Sequence, residues 1–188
     1  LVTCAKTIGT HLHIKGGKFE IDEPADKRVG TRISIKNLFY NTPARLKYLK
    51  SEPTELASCV SYIEKIALSY PQIKFTLNNN DRPVVKTIGS GNLKKTIHEI
   101  YGLQVSSKLI EIKNSNDDYD IRGFICKPEI LKSNRYHMTT IVNGRVIRNN
   151  DLNRAINDAY YTYKPDSKYP IVVINIETDP TLIDVNIH

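Results

Sequence analysis

The chain has 188 residues, 40% of them hydrophobic and 25% charged, which is enough apolar material for one domain or two small ones. No apolar run is long enough to span a membrane, and the first residues lack the basic-then-apolar order of a secretory leader. The net charge of +7 favours nucleic acid, anionic lipid or acidic protein as a partner, and equally suits a plain solvated basic surface.

The chain does not begin with Met and is expected to be a piece of something longer. Cys4, Cys59 and Cys126 are far apart and odd in number, so they are read as free thiols in a reducing cytosol, not as a disulfide framework or a zinc site. His11 and His13 stand two apart on an expected strand with no acidic or Cys partner expected nearby, which suits a solvated strand face better than a metal site.

In chain order, "HLHIKGGKFEI" (11–21) reads as a hairpin turning at Gly16-Gly17. "RVGTRISIKNLF" (28–39) alternates as a strand with Ile33 and Ile35 on one face. Thr42 is placed as an N-cap with Pro43 at the first helical position, and a short helix is expected to about Lys50, stopped by Pro53. Thr54 is placed as the cap of a longer helix whose Leu56, Val60, Ile63 and Ala67 share a face, ending at Ser69-Tyr70-Pro71. "IKFTL" (73–77), "NNND" and "PVVKTI" (83–88) make a second hairpin.

"GSGN" (89–92) reads as a linker and is taken as a domain boundary. A helix over 92–101 follows, with Leu93, Ile97 and Ile100 on one side and Gly102 as its C′ residue. "KLIEIK" and "YDIRGFIC" are strands across an "NSND" turn. "YHMTTIVNGRVIR" (136–148) is a hairpin with Asn143-Gly144 at the tight turn. Asp151 is placed as the cap of a helix to about Tyr161, with Leu152, Ala155, Ile156 and Ala159 inward. "YPIVVINIE" (169–177) has the β-branched run of a strand covered on both faces, and "LIDVNIH" is read as a last strand. A buried strand, a helix and a second buried strand require a crossover connection, so the second half is α+β with a mixed sheet.

Taken alone, "NLFYNTPARLKYLK" (37–50) is a strand end feeding a capped helix, with Arg45, Lys47 and Lys50 partly outward. A structural connector with a solvated basic face accounts for it as well as a functional role does.

With its neighbours, "GTRISIKNLFYNTPARLKYLK" (30–50) resembles an ATPase motif of the MutL family of DNA mismatch repair proteins. "IVNGRVI" (141–147) is similar to that family's Asn-Gly-Arg hairpin, and "DPTLIDVNIH" (179–188) to the strand before its Pro-x-Lys. The resemblance implies that residues 1–89 are the C-terminal part of a GHKL-type ATPase domain, an α/β sandwich. It implies that 90–188 are a transducer domain of ribosomal-protein-like α+β fold, with a mixed sheet and a left-handed βαβ crossover.

The resemblance also implies ATP and Mg as cofactors of the full-length protein and a homodimer in its ATP-bound form. It implies sequence-independent DNA binding along a basic groove and a MutS-like mismatch recognition protein as partner. No membrane role is implied, and the location would be the bacterial cytoplasm at the nucleoid, or the nucleus in a eukaryote. Carried onto this chain, Gly30 and Thr31 would border the nucleotide, Phe39 and Tyr40 would anchor the strand end, and Arg145 would contact DNA. Charge alone adds Arg148 and Arg154 to the DNA-binding set, and Lys132 and Arg135 as possible extensions of the patch.

The 188 residues contain no E-x-x-x-N, no D-x-G-x-G and no Gly-rich lid, and they stop before the Pro-x-Lys. They are therefore expected not to hydrolyse ATP alone, and no catalytic or metal-binding residue is assigned. Two other classes remain open: a non-enzymatic nucleic-acid-binding module sharing the α+β fold, and another GHKL enzyme such as a type II topoisomerase subunit, whose Gln-Thr-Lys loop is absent here.

Overall fold

The computed structural model describes residues 2–4, 8–26 and 29–183. It divides into two compact units, Leu1–Ser51 and Glu52–His188.

The first unit is a four-stranded antiparallel sheet. Its strands are β1 (Val2–Cys4), β2 (Gly9–Lys15), β3 (Lys18–Ala25) and β4 (Gly30–Arg32), in the order β3-β2-β1-β4. Gly16 and Gly17 make the β2–β3 turn at φ 56° and 84°, a left-handed pair that closes a two-residue hairpin without steric cost. A Cβ on Gly16 would lie 2.7 Å from the Tyr40 hydroxyl, so the bare glycine also makes room for that ring.

Two expectations are corrected in this unit. His11 and His13 do have acidic partners, Glu23 at 2.9 Å and Glu20 at 3.1 Å, because antiparallel pairing brings distant residues opposite each other. The strand expected over 28–39 keeps strand pairing only from Gly30 to Arg32, and Ile33 and Ile35 are exposed. Residues 37–42 instead form two successive turns, Tyr40 N–H donating to Asn37 O and Thr42 N–H to Phe39 O, each at 3.0 Å. Asn37 and Phe39 take positive φ to make them. The helix α1 is shorter than expected, Pro43–Lys47, and Thr42 precedes it without a side-chain capping bond.

The second unit holds α2 (Glu52–Ser69), β5 (Thr76–Asn79), β6 (Arg82–Lys86), α3 (Leu93–Ser106), β7 (Leu109–Ser115) and β8 (Tyr119–Cys126). It continues with β9 (Leu131–Lys132), β10 (Met138–Val142), β11 (Arg145–Ile147), α4 (Asn150–Ala159), β12 (Tyr169–Pro170) and β13 (Val172–Thr178). Its main sheet runs β11-β10-β13-β8-β7. β13 pairs parallel with β10 and antiparallel with β8, so the sheet is mixed and β10–α4–β13 is a crossover. Val172 and Val173 are buried, as the unalternating β-branched run requires of a central strand.

The core joins Leu68 of α2, Ile97 and Val105 of α3, and Cys126, Ile141, Ile171 and Val173 of the sheet region. Each large aliphatic side chain buried there contributes about 1.5–3 kcal/mol. This sharing of one core by α2 and α3 explains why the compact division falls at Ser51/Glu52 and not at 89–92. The 89–92 segment is also tied down: Gly91 N–H donates to Pro71 O at 3.0 Å, and a Cβ on Gly89 would strike the backbone of Lys74 at 2.7 Å.

Helix ends differ from the expected ones for local reasons. α2 begins at Glu52 with Pro53 in its first turn, where a missing N–H has no intrahelical partner to lose, so Thr54 lies inside the helix. α4 is capped by Asn149, whose Oδ1 accepts from Asp151 N–H at 2.8 Å and Leu152 N–H at 3.0 Å. Asp151 sits in the first turn, where its charge suits the helix dipole. Ala155 and Ala159 are exposed, leaving Leu152 and Ile156 half-buried. Gly102, at φ 80° and ψ 178°, breaks α3 near the expected place, and one more turn runs on to Ser106. The strand expected at the chain's end falls mostly on 184–188, outside the described residues; Pro180–Leu182 form a single 3-10 turn.

Candidate nucleic-acid interface

The β10–β11 hairpin turns at Asn143 (φ 47°) and Gly144 (φ 79°), residues that tolerate the left-handed region the tight turn demands. Arg145, the first residue after the turn, is exposed, and Arg148 is exposed just beyond β11. The tip rests near α2: a Cβ on Gly144 would come within 3.3 Å of the Tyr70 hydroxyl.

A groove of about 430 Å³ lies between α2 and this hairpin, with Tyr62, Lys65, Ser69, Tyr70, Arg145 and Arg148 among its lining residues. No carboxylate lines it. Burial, and then the neighbouring Arg148 charge, hold the Lys65 ammonium below its usual pKa, while Glu64 opposes them. Cations that repel one another this way mark a surface suited to an anion. Tyr62 is 67% exposed and Tyr70 38%, so aromatic faces border the cations.

Of the sequence-derived DNA set, Arg145 and Arg148 share this groove, and Arg154 does not line it. Arg154 is exposed and bonded to Asp151 at 2.8 Å, and with Arg135 it lines a separate hollow along α4. Lys132 lies half-buried on β9, paired in register with Tyr169. Lys65, Tyr62 and Tyr70 were missed, because they sit far from Arg145 in sequence. A usable signal was present: Tyr62, Lys65 and Ser69 recur at i, i+3 and i+7 on one face of α2.

α2 borders a second groove, of about 360 Å³, where Leu56, Val60 and Glu64 face Tyr101, Tyr136 and His137. It is predominantly apolar in character. The Tyr101 and His137 rings meet tilted at 52°, 5.3 Å between centres, and Lys65 Nζ stands 5.9 Å from the Tyr136 ring centre. Burial raises the Glu64 carboxyl against the pull of Lys65, and burial followed by the Lys132 and Lys65 charges lowers the His137 imidazole.

Gly30 and Thr31, the nucleotide-pocket candidates, lie on β4 and are exposed. A Cβ on Gly30 would meet nothing within 4 Å, so the space beside that residue is open. Among the described residues no three His, Cys, Asp or Glu side chains gather to hold a metal ion. No helix among them is long and apolar enough to cross a membrane. Cys59 is an exposed free thiol and Cys126 a buried one.

Comparison with known proteins gives a consistent picture. Residues 97–188 match the family model described as DNA mismatch repair protein, C-terminal domain. The chain is 45% identical over 190 residues to the DNA mismatch repair protein MutL of Streptococcus thermophilus, covering 100% of this chain and 29% of that protein. It is 42% identical over 183 residues to the MutL of Listeria monocytogenes, covering 97% and 30%. Its fold is similar to the Aquifex aeolicus MutL ATPase domain complexed with ADP, with a TM-score of 0.74 at 24% identity over 95% of this chain and 66% of that one. It is also similar to the N-terminal domain of a DNA repair protein, with a TM-score of 0.83 at 19% identity over 97% and 60%.

Proposed function

Because the chain belongs to the MutL family of DNA mismatch repair proteins and spans about 29% of the length of the curated relatives it matches, we propose that it is the stretch linking nucleotide state to DNA and partner binding. One observation supports the DNA-binding part above all: Arg145 and Arg148 meet Lys65 across a groove that no carboxylate lines. Guanidinium groups pair with phosphate oxygens bidentately, and a lysine adds a point charge. Phosphate contacts of this kind position a duplex without reading its bases, so binding is sequence-independent.

For the full-length protein we propose ATP with Mg, ATP-dependent homodimerisation and a MutS-like partner. Gly30 and Thr31 would supply one wall beside the nucleotide. Among the described residues no three His, Cys, Asp or Glu side chains gather to hold a metal ion, and no step of ATP hydrolysis is assigned to this chain.

The test is DNA affinity measured by fluorescence anisotropy across a salt series, for the parent chain and Arg145→Glu. Weaker binding to every duplex sequence with a shallower salt dependence supports the reading. Unchanged affinity and unchanged salt dependence remove Arg145 from the interface. A preference for structured RNA over duplex DNA points instead to a ribosomal-protein-like module.

A further inference from the structure

A strand at the edge of a sheet turns half of its backbone N–H and C=O groups away from its neighbour, where another chain can pair with them. Most edges in this protein are blunted. β4 and β11 are three residues long. β3 carries Pro24 and pairs with β2 across a register shift at His13/Ile14, and β6 carries Pro83. β7 has none of these devices. It ends the five-stranded sheet, runs seven residues from Leu109 to Ser115 without a proline, and keeps an unbroken register against β8. Among the described residues no strand covers its outer side.

The charges on β7 indicate what fits there. Strand alternation places Glu111 and Lys113 on one face and Ile110, Ile112 and Asn114 on the other. Glu111 and Lys113 are both exposed, and among the described residues neither makes an ion pair. Lys113 stands opposite Arg122 of β8, and Arg122 is already bonded to Asp120 Oδ1 at 2.9 Å. The two opposite charges flank Ile112, the middle residue of the strand, symmetrically. A strand with this pattern is complementary to its own reverse.

We propose that β7 pairs antiparallel with β7 of a second copy of this chain, about a two-fold axis through Ile112. In that register the seven residues overlap completely, and Glu111 of each copy faces the partner's Lys113. Centring the axis on Glu111 or on Lys113 would set like charges opposite each other, so the charge pattern selects one register. Ile110, 43% exposed, and Ile112 add apolar surface on the other face. One strand pair is small beside the interfaces of permanent dimers, so the association is weak and concentration-dependent. It uses neither nucleotide nor the groove at Arg145, and it is separate from the ATP-dependent homodimer proposed above.

The experiment is analytical ultracentrifugation of the chain without nucleotide over a concentration series. The expected result is a reversible monomer–dimer equilibrium. Glu111→Lys and Lys113→Glu each place like charges opposite one another twice per dimer, and each should weaken self-association about tenfold or more. An equimolar mixture of the two variants should associate as the parent does, because each supplies the charge that the other lacks. Hydrogen exchange on the parent gives a readout that needs no variant: the β7 amides should slow as concentration rises. A parent that stays monomeric with unchanged β7 exchange overturns the proposal. So do single variants that dimerise as tightly as the parent, which would place the contact on another surface, and a mixture that associates no better than either variant alone.

Discussion

Asn143 grips both backbone polar groups of Thr178: its Nδ2 donates to Thr178 O at 2.9 Å, and Thr178 N–H donates to its Oδ1 at 3.0 Å. Asn143 N–H also donates to Ile176 O at 3.0 Å. The hairpin tip that presents Arg145 is therefore pinned to the end of the central strand β13. Asn143→Ala removes both side-chain bonds and leaves a Cβ-branchless but non-glycine residue at φ 47°. The expected loss is about 2–3 kcal/mol in urea unfolding, with weaker DNA binding although Arg145 is intact. Full DNA affinity in the destabilised variant would show that the pin does not position the arginine.

Arg145→Glu and Lys65→Glu probe the groove from its two sides. Each phosphate contact contributes roughly 0.9 to the log–log salt slope on duplex DNA. Each variant should flatten the slope by about that amount and weaken all sequences alike. If Lys65→Glu behaves as the parent while Arg145→Glu does not, contact is confined to the hairpin.

The groove facing Tyr101 makes stability depend on pH in two opposite ways. Burial raises the Glu64 pKa, so its contribution is present below the ordinary carboxylate value and is lost as pH rises through the folded value. Glu64→Gln should therefore stabilise the chain at neutral pH, with the gain fading toward acid pH, where the parent carboxyl is protonated too. His137 has the reverse sign. Its lowered pKa means a contribution present above the ordinary imidazole value and lost as pH falls through the folded one. Urea unfolding at a series of pH values checks both, and a Glu64→Gln gain confined to acid pH would contradict the first.

Gly123 of β8 pairs in register with Ile174 of the neighbouring antiparallel strand β13, and a Cβ there would collide with the carbonyl oxygen of Val173. Both strands are central, so neither yields cheaply. Gly123→Ala should cost about 3 kcal/mol or prevent folding, read as a drop in the thermal midpoint. A variant within experimental error of the parent would mean the sheet opens there.

Tyr160, at the end of α4, donates its hydroxyl to Cys126 O at 2.6 Å. Burial, followed by the nearby Cys126, pushes its ionisation up to about 12. Tyr160→Phe should cost about 1–2 kcal/mol by leaving the buried carbonyl unpaired. Ultraviolet titration of the parent should show two tyrosines, Tyr101 and Tyr160, ionising above the exposed ones, and the variant should lose one of them while Tyr101 remains.

Much of the fold was legible in the chain. Gly16-Gly17 and Asn143-Gly144 signalled their hairpins because only such residues enter a tight left-handed turn readily. The β-branched run 169–177 signalled a covered central strand, and the spacing of Leu93, Ile97 and Ile100 signalled the buried face of α3. The site was half legible. Arg145 stood out through its place after the turn, whereas Lys65 and Tyr62 read as an ordinary helix face.

Local chemistry determined the hairpins, the helices and the family resemblance, since turn geometry and apolar spacing act over a few residues. Tertiary structure decided what distant segments do to one another. It set where β4 stops pairing, gave α2 a share in the core with α3, and drew Lys65 up to Arg145 and Arg148. Those outcomes depend on long-range packing and on opposing charges brought together in space, and no window along the chain contains both partners.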